Sequence, residues 1–140
     1  MRVLLVSPDP AARDLMRVAV GSIERRLGEP LGFLDAIDGE QGARIGLRER
    51  PDAVVADEIA SRAGAFSLAK DLRGAVDPYL GPIVILLERR HDGWLARWSG
   101  ADAWFVKPVD PFALADTLVE LIPAAEKAAQ RVGGGKKETA

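Results

Sequence analysis

Three uninterrupted apolar runs, Val3 to Val6, Ala53 to Ala56 and Ile83 to Leu87, constrain this chain more than any other feature. A strand with one face in water alternates apolar with polar residues. A short run without alternation is expected in a strand covered on both faces, as in a parallel sheet. Each run ends on a polar side chain: Ser7, Asp57 and Glu88. Two weaker β-type segments, Phe33 to Ile37 and Ala103 to Val106, complete a set of five.

Between these segments the spacing turns helical. From Ala11 to Leu27 the apolar positions Leu15, Val18, Ala19, Ile23 and Leu27 recur at helical intervals, with Pro10 suited to the first turn and Gly28, Pro30 and Gly32 as breakers. Asp38 is placed to cap a helix over about Gly39 to Arg50, in which Gly42 and Gly46 point to close packing. Glu58 to Gly64 reads as loop, and Phe66, Leu68, Ala69 and Leu72 as a third helix. Charged loop residues from Glu88 to Gly93, His91 among them, precede a short helix over Trp94 to Ser99, ended by Gly100. Lys107-Pro108 leads to a last helix over Pro111 to Ile122, with Leu114, Leu118 and Leu121 on one stripe. Strand and helix alternate five times, which predicts an α/β domain with a five-stranded parallel sheet in the doubly wound, flavodoxin-like (βα)5 order. Sites in such sheets form beyond the carboxyl ends of the strands. The residues delivered there are Ser7, Pro8 and Asp9, then Asp57, then Leu87 and Glu88, then Lys107.

Composition narrows the function classes. The 140 residues carry a net charge of -2, with no basic excess of the kind nucleic-acid binders show. No cysteine and a single histidine exclude disulfides, thiolate metal sites and most histidine-assisted nucleophiles. No apolar stretch approaches a membrane span, and the first apolar run is too short for a signal sequence. The expectation is a cytoplasmic domain over residues 1–123 that contacts neither nucleic acid nor membrane. A flexible tail or linker over residues 124–140 would follow, alanine-rich to Val132 and broken by Gly133 to Gly135.

Two segments carry a family resemblance. Pro51-Asp52-Ala53-Val54-Val55-Ala56-Asp57 resembles the third strand of response-regulator receiver domains of the chemotaxis-Y kind, which ends in the phosphoaccepting aspartate. Gly100-Ala101-Asp102-Ala103-Trp104-Phe105-Val106-Lys107-Pro108 resembles their fifth strand with its lysine-proline end. The likeness extends from Met1 to about Ile122 and implies the receiver fold. It implies that Asp57 is equivalent to the phosphoacceptor, Lys107 to the lysine that contacts the phosphoryl group, and Trp104 to the switch aromatic. The acidic pair that holds Mg²⁺ in the family falls on Ser7 and Pro8, the phosphoryl-sensing Ser/Thr on Leu87, and the Met-Pro and glycine after the phosphoacceptor on Ala60, Ser61 and Ala65.

These departures bear on chemistry. Phosphoryl transfer gathers negative charge that a divalent ion neutralises, and Mg²⁺ wants oxygen ligands in octahedral array. Pro8 offers no side-chain oxygen, Ser7 is a poor ligand and Leu87 bears no hydrogen-bonding group. Asp57 and Lys107 then read as an ion pair closing the strand ends, and the chain as a degenerate, non-enzymatic receiver with no resident cofactor. In the alternative, Asp9 joins Asp57 in holding Mg²⁺, and Asp57 accepts a phosphoryl group from a histidine kinase. A small-molecule-binding flavodoxin-like protein is a third reading. The first loop lacks the glycine and hydroxyl run of a phosphate cradle.

Trp94 and Trp98, four apart, share one helix face beside the stripe of Leu95, Ala96 and Ser99. With Arg97 between them, they mark an expected partner surface. It would be built from the Trp94–Ser99 helix, the Ala103–Val106 strand and the Pro111–Ile122 helix (the α4-β5-α5 face of receivers). It would take another signalling protein or a second copy of this chain. Trp104 is expected to be buried.

Overall fold

The computed structural model describes residues 1–58 and 64–139, with side chains of the final helix as far as Arg131. Five strands pair in parallel in the order β2-β1-β3-β4-β5. They are β1 (Arg2–Val6), β2 (Gly32–Ala36), β3 (Ala53–Asp57), β4 (Ile83–Leu87) and β5 (Ala103–Val106). The helices are α1 (Pro10–Gly21), α2 (Ile23–Leu27), α3 (Gly39–Glu49), α4 (Ala65–Gly74), α5 (Gly93–Ser99) and α6 (Pro111–Thr139), with a 3₁₀ turn at Arg90–Asp92 ahead of α5.

The two-residue alternation of each strand divides the core. Val3, Leu5, Ala53, Val55, Val84 and Leu86 pack against α1, α2 and α6. Leu4, Val6, Val54, Ala56, Ile85 and Leu87 pack against α3, α4 and α5. The five-stranded, doubly wound order is as the sequence predicts. The strand order reverses between β1 and β3, so their carboxyl ends flank the crevice in which such sheets place their sites. Close packing at Gly42 and Gly46 is also found. A Cβ on Gly42 would stand 3.1 Å from Val6 Cγ2, and one on Gly46 would stand 2.8 Å from Leu72 Cδ2.

Three expectations are corrected. The Ala11–Leu27 stretch forms two helices, α1 and α2, which meet at Gly21-Ser22, where glycine weakens helix propensity. The apolar stripe of α1 is also rotated from the one read in the sequence. Met16 and Val20 are buried, whereas Leu15 and Val18 are 72% and 79% exposed. Finally, α6 does not end at Ile122 but continues through Pro123. Proline removes one hydrogen bond there, and the alanine-rich stretch beyond it sustains the helix.

Candidate functional site

Asp57 is the last residue of β3 and points, like Val55 two places earlier, toward the α1 and α6 side. Its carboxylate is fully buried and meets two strand ends. The Ser7 hydroxyl, beyond β1, donates to Asp57 Oδ2 at 3.3 Å. The Lys107 ammonium, beyond β5, donates to Asp57 Oδ1. Lys107 also donates to Glu88 Oε1, beyond β4, at 2.7 Å. One ammonium thus ties two carboxylates from different strands. Burial by itself would lower the Lys107 pKa, but the bonds to Asp57 and Glu88 outweigh it and raise the value. The peptide between Lys107 and Pro108 is cis.

The loop after β1 is organised as a helix start. Asp9 is the N-cap of α1, its Oδ1 accepting from the Ala11 N–H at 3.0 Å, and Pro10 occupies the first turn. The Asp9 N–H donates to Ser7 Oγ at 3.2 Å, and Arg13 reaches back to the Ser7 carbonyl at 2.5 Å. Pro8 is exposed. Asp9, Asp57 and Lys107 line one cleft of about 540 Å³, otherwise mostly apolar, with Leu15, Met16 and Leu86 in its walls.

Leu87 sits elsewhere than its position in the sequence suggested. Its side chain packs with Ile83, Ile85 and Ala96 on the opposite sheet face, and Leu86 lines the cleft instead. Strand alternation is the cause. Ala60 and Ser61 lie outside the described residues, and Ala65 is buried at the start of α4.

Two contributors escaped the sequence reading. Arg13 is one. The other is Glu58, whose backbone N–H donates to the Leu86 carbonyl at 2.9 Å while its carboxylate accepts from the Glu88 N–H. Burial raises the Glu58 pKa, and a hydrogen bond with Asp92 raises it further. The signal available was its adjacency to Asp57 at a strand end.

The residues present do not fit an octahedral Mg²⁺ site of the kind the family resemblance implies. Pro8 supplies no oxygen, Ser7 Oγ serves Asp57 and the Asp9 N–H, one Asp9 oxygen caps α1, and an ammonium holds Asp57. No cluster of three His, Cys, Asp or Glu able to hold a metal occurs among the described residues.

On the far side of β5, Trp94 and Trp98 are 66% and 60% exposed and Trp104 is half-buried, less covered than expected. Ala96 and Ser99 supply the buried stripe of α5, and Leu95 is half-buried. No helix among the described residues is long and apolar enough to cross a membrane.

No family model matches the chain. It is 30% identical over 124 residues to an uncharacterized response regulatory protein of Mycobacterium tuberculosis strain H37Rv, covering 89% of this chain and 92% of that one. The fold is similar to a Francisella response-regulator receiver domain, with a TM-score of 0.74 and 20% identity over 88% of this chain and 97% of that one. It is also similar to the receiver domain of a Pseudomonas aeruginosa sensor histidine kinase, solved with a magnesium ion in its active-site cleft. There the TM-score is 0.68 and the identity 22%, over 87% of this chain and 97% of that one. The structural likenesses show the fold, and the mycobacterial relative aligns along nearly the whole of both chains. This chain belongs to the response-regulator receiver family.

Proposed function

We propose that this receiver domain of two-component signalling is a non-enzymatic protein-protein interaction module, not switched by Mg²⁺-dependent phosphorylation. The observation that carries the reading is the Lys107 ammonium shared between Asp57 and Glu88, beside a first loop whose Ser7 and Pro8 replace the family's acidic pair. Lys107 supplies the charge compensation that a divalent ion would otherwise bring, and it needs only acceptors already in place. The pocket then holds one arrangement without a cofactor. Retained function falls on the surface, and exposed Trp94 and Trp98 support a partner site on the face built from α5, β5 and α6, for another signalling protein or a second copy. The domain acts in the cytoplasm.

The test is incubation with Mg²⁺ and acetyl phosphate, followed by intact mass spectrometry and Trp104 fluorescence. The expected result is no phosphoryl adduct and no fluorescence change. An adduct on Asp57 that forms only with Mg²⁺ and is lost in Asp57→Asn would establish the phosphorylatable response regulator instead. Asp9 lines the same cleft as Asp57, which is the feature favouring that outcome.

A further inference from the structure

Resting on the partner-surface reading above, we infer that the tryptophan cluster around α5 binds an acidic segment of a partner protein, with an apolar side chain seated among the indoles and carboxylates meeting Lys70 and Arg97. Gly93, Trp94, Arg97, Trp98 and Trp104 line a hollow of about 350 Å³, on the order of one or two large side chains in size. Gly93 forms part of its wall, at a point where a side chain would be crowded. A Cβ there would stand 3.0 Å from Trp104 Nε1. Trp94 and Trp98 flank the hollow largely in water, a costly exposure for two indoles on one helix face unless something covers them.

Charge identifies the occupant. Lys70 Nζ lies 3.8 Å from the Trp98 ring centroid, and the Arg97 guanidinium carbon lies 5.5 Å from that of Trp104. One face of Trp98 and one of Trp104 are therefore already taken by the chain's own cations. Those cations are placed by the indoles, yet neither makes an ion pair with any described residue. Arg73, on the same helix as Lys70, is different: Asp102 and backbone carbonyls consume it. Of the nearby acids, Asp92 engages Glu58 and Asp102 engages Arg73, while Asp71 follows Lys70 on exposed helix surface. The hollow thus offers apolar walls, with Arg97 in its lining and Lys70 against Trp98 at its edge, neither ion-paired among the described residues, which suits an apolar anchor flanked by carboxylates.

The experiment uses the whole chain and fluorescein-labelled peptides with a central Leu-Phe pair flanked by glutamates, by glutamines or by lysines. Binding is read by anisotropy, and circular dichroism melts check that each variant is folded. The glutamate peptide should bind best and the lysine peptide worst. Lys70→Glu with Arg97→Glu should weaken the glutamate peptide at least about tenfold, the effect of losing charged contacts at a desolvated site. Raising salt from about 0.1 M to about 1 M should weaken it too, because screening shortens to a few ångströms. Trp94→Ala with Trp98→Ala should abolish binding while leaving the melt in place. If the glutamine peptide binds as tightly and is lost only in the tryptophan variant, the surface is a partner site but the acidic assignment is wrong. If the folded tryptophan variant binds like wild type, or no peptide binds at all, both the hollow and its assignment fall.

Discussion

Lys107, beyond β5, reaches across the end of β4 to Asp57 at the end of β3, and the two are unequal partners: the Asp57 side chain is sealed from solvent, while that of Lys107 keeps 27% of its surface exposed. The lysine can turn to water or to Glu88 when its partner is removed. The aspartate has far less freedom. Removing one member of a buried pair costs mainly through the charge left behind. Lys107→Met should therefore destabilise the domain by about 2 kcal/mol, less than the roughly 3–5 kcal/mol of a fully buried pair because Lys107 is partly exposed. Asp57→Asn should cost about 1 kcal/mol or less, because the amide oxygen can still accept from Ser7 and Lys107 keeps Glu88. Urea unfolding of the two variants decides it, and equal losses would remove the asymmetry.

The same site shows what sequence makes legible. Topology delivers Ser7, Asp57, Glu88 and Lys107 to one rim, because parallel strands put their carboxyl ends together and each apolar run ends on the polar residue in question. That much follows from pattern alone. Which way Leu87 turns depends on strand phase, and a run buried on both faces carries no alternation from which to read the phase. Glu58 was similarly obscure. Its role arises from a bond to the Glu88 backbone across two strands, which no local spacing encodes.

Helix α1 gives a second instance with a measurable consequence. Leu15, Val18 and Ala19 have helical spacing, but so do Met16 and Val20, with Ile23 compatible with either stripe, and the choice between the two is made by the sheet beneath. The buried set is Met16, Val20 and Ile23. Met16→Ala should cost about 2–4 kcal/mol through the cavity it leaves. Leu15→Ala should stay within about 0.5 kcal/mol, as for exposed positions generally. Thermal melts with the order reversed would restore the stripe read from sequence.

The Glu58 carboxyl makes stability depend on pH in a defined direction. Burial and the neighbouring Asp92 raise its pKa, so the folded state holds this proton more tightly than the unfolded chain does. Its favourable contribution is complete below the ordinary glutamate value and is lost as pH rises through the higher folded value. At neutral pH the ionised group is a small liability. Glu58→Gln keeps an acceptor for the Glu88 N–H and removes the repulsion with Asp92. It should stabilise the domain at pH 7 by a few tenths of a kcal/mol, the usual scale for partly exposed charges. The gain should vanish in acid, where Glu58 is protonated. Melting curves of both proteins from acid to neutral pH would show the two lines converging toward the acid end; parallel lines would mean that Glu58 carries no such shift.

The first loop can be made to carry the missing ligands, and the cost of doing so is itself informative. Ser7 is fully buried, and its hydroxyl donates to Asp57. Ser7→Asp combined with Pro8→Asp would set new carboxylates next to Asp57, in a site that already holds the Lys107 ammonium and has Arg13 beside it. Like charges gathered in a buried site disfavour ionisation and folding until a cation joins them. The double variant should therefore melt well below wild type without metal and recover as Mg²⁺ is added, because a ligand that binds only the folded state stabilises it by mass action. Wild type should show no comparable rise at millimolar Mg²⁺, since Pro8 contributes no oxygen and Lys107 already occupies the carboxylate. Melting temperature against Mg²⁺ concentration, checked by calorimetry, separates the cases. Sub-millimolar affinity in wild type would show that Asp9 leaves its capping bond to Ala11 and that the pocket is a metal site after all. A flat response in the double variant would place the obstacle elsewhere than in the acidic pair, with the Lys107 ammonium as the next group to remove.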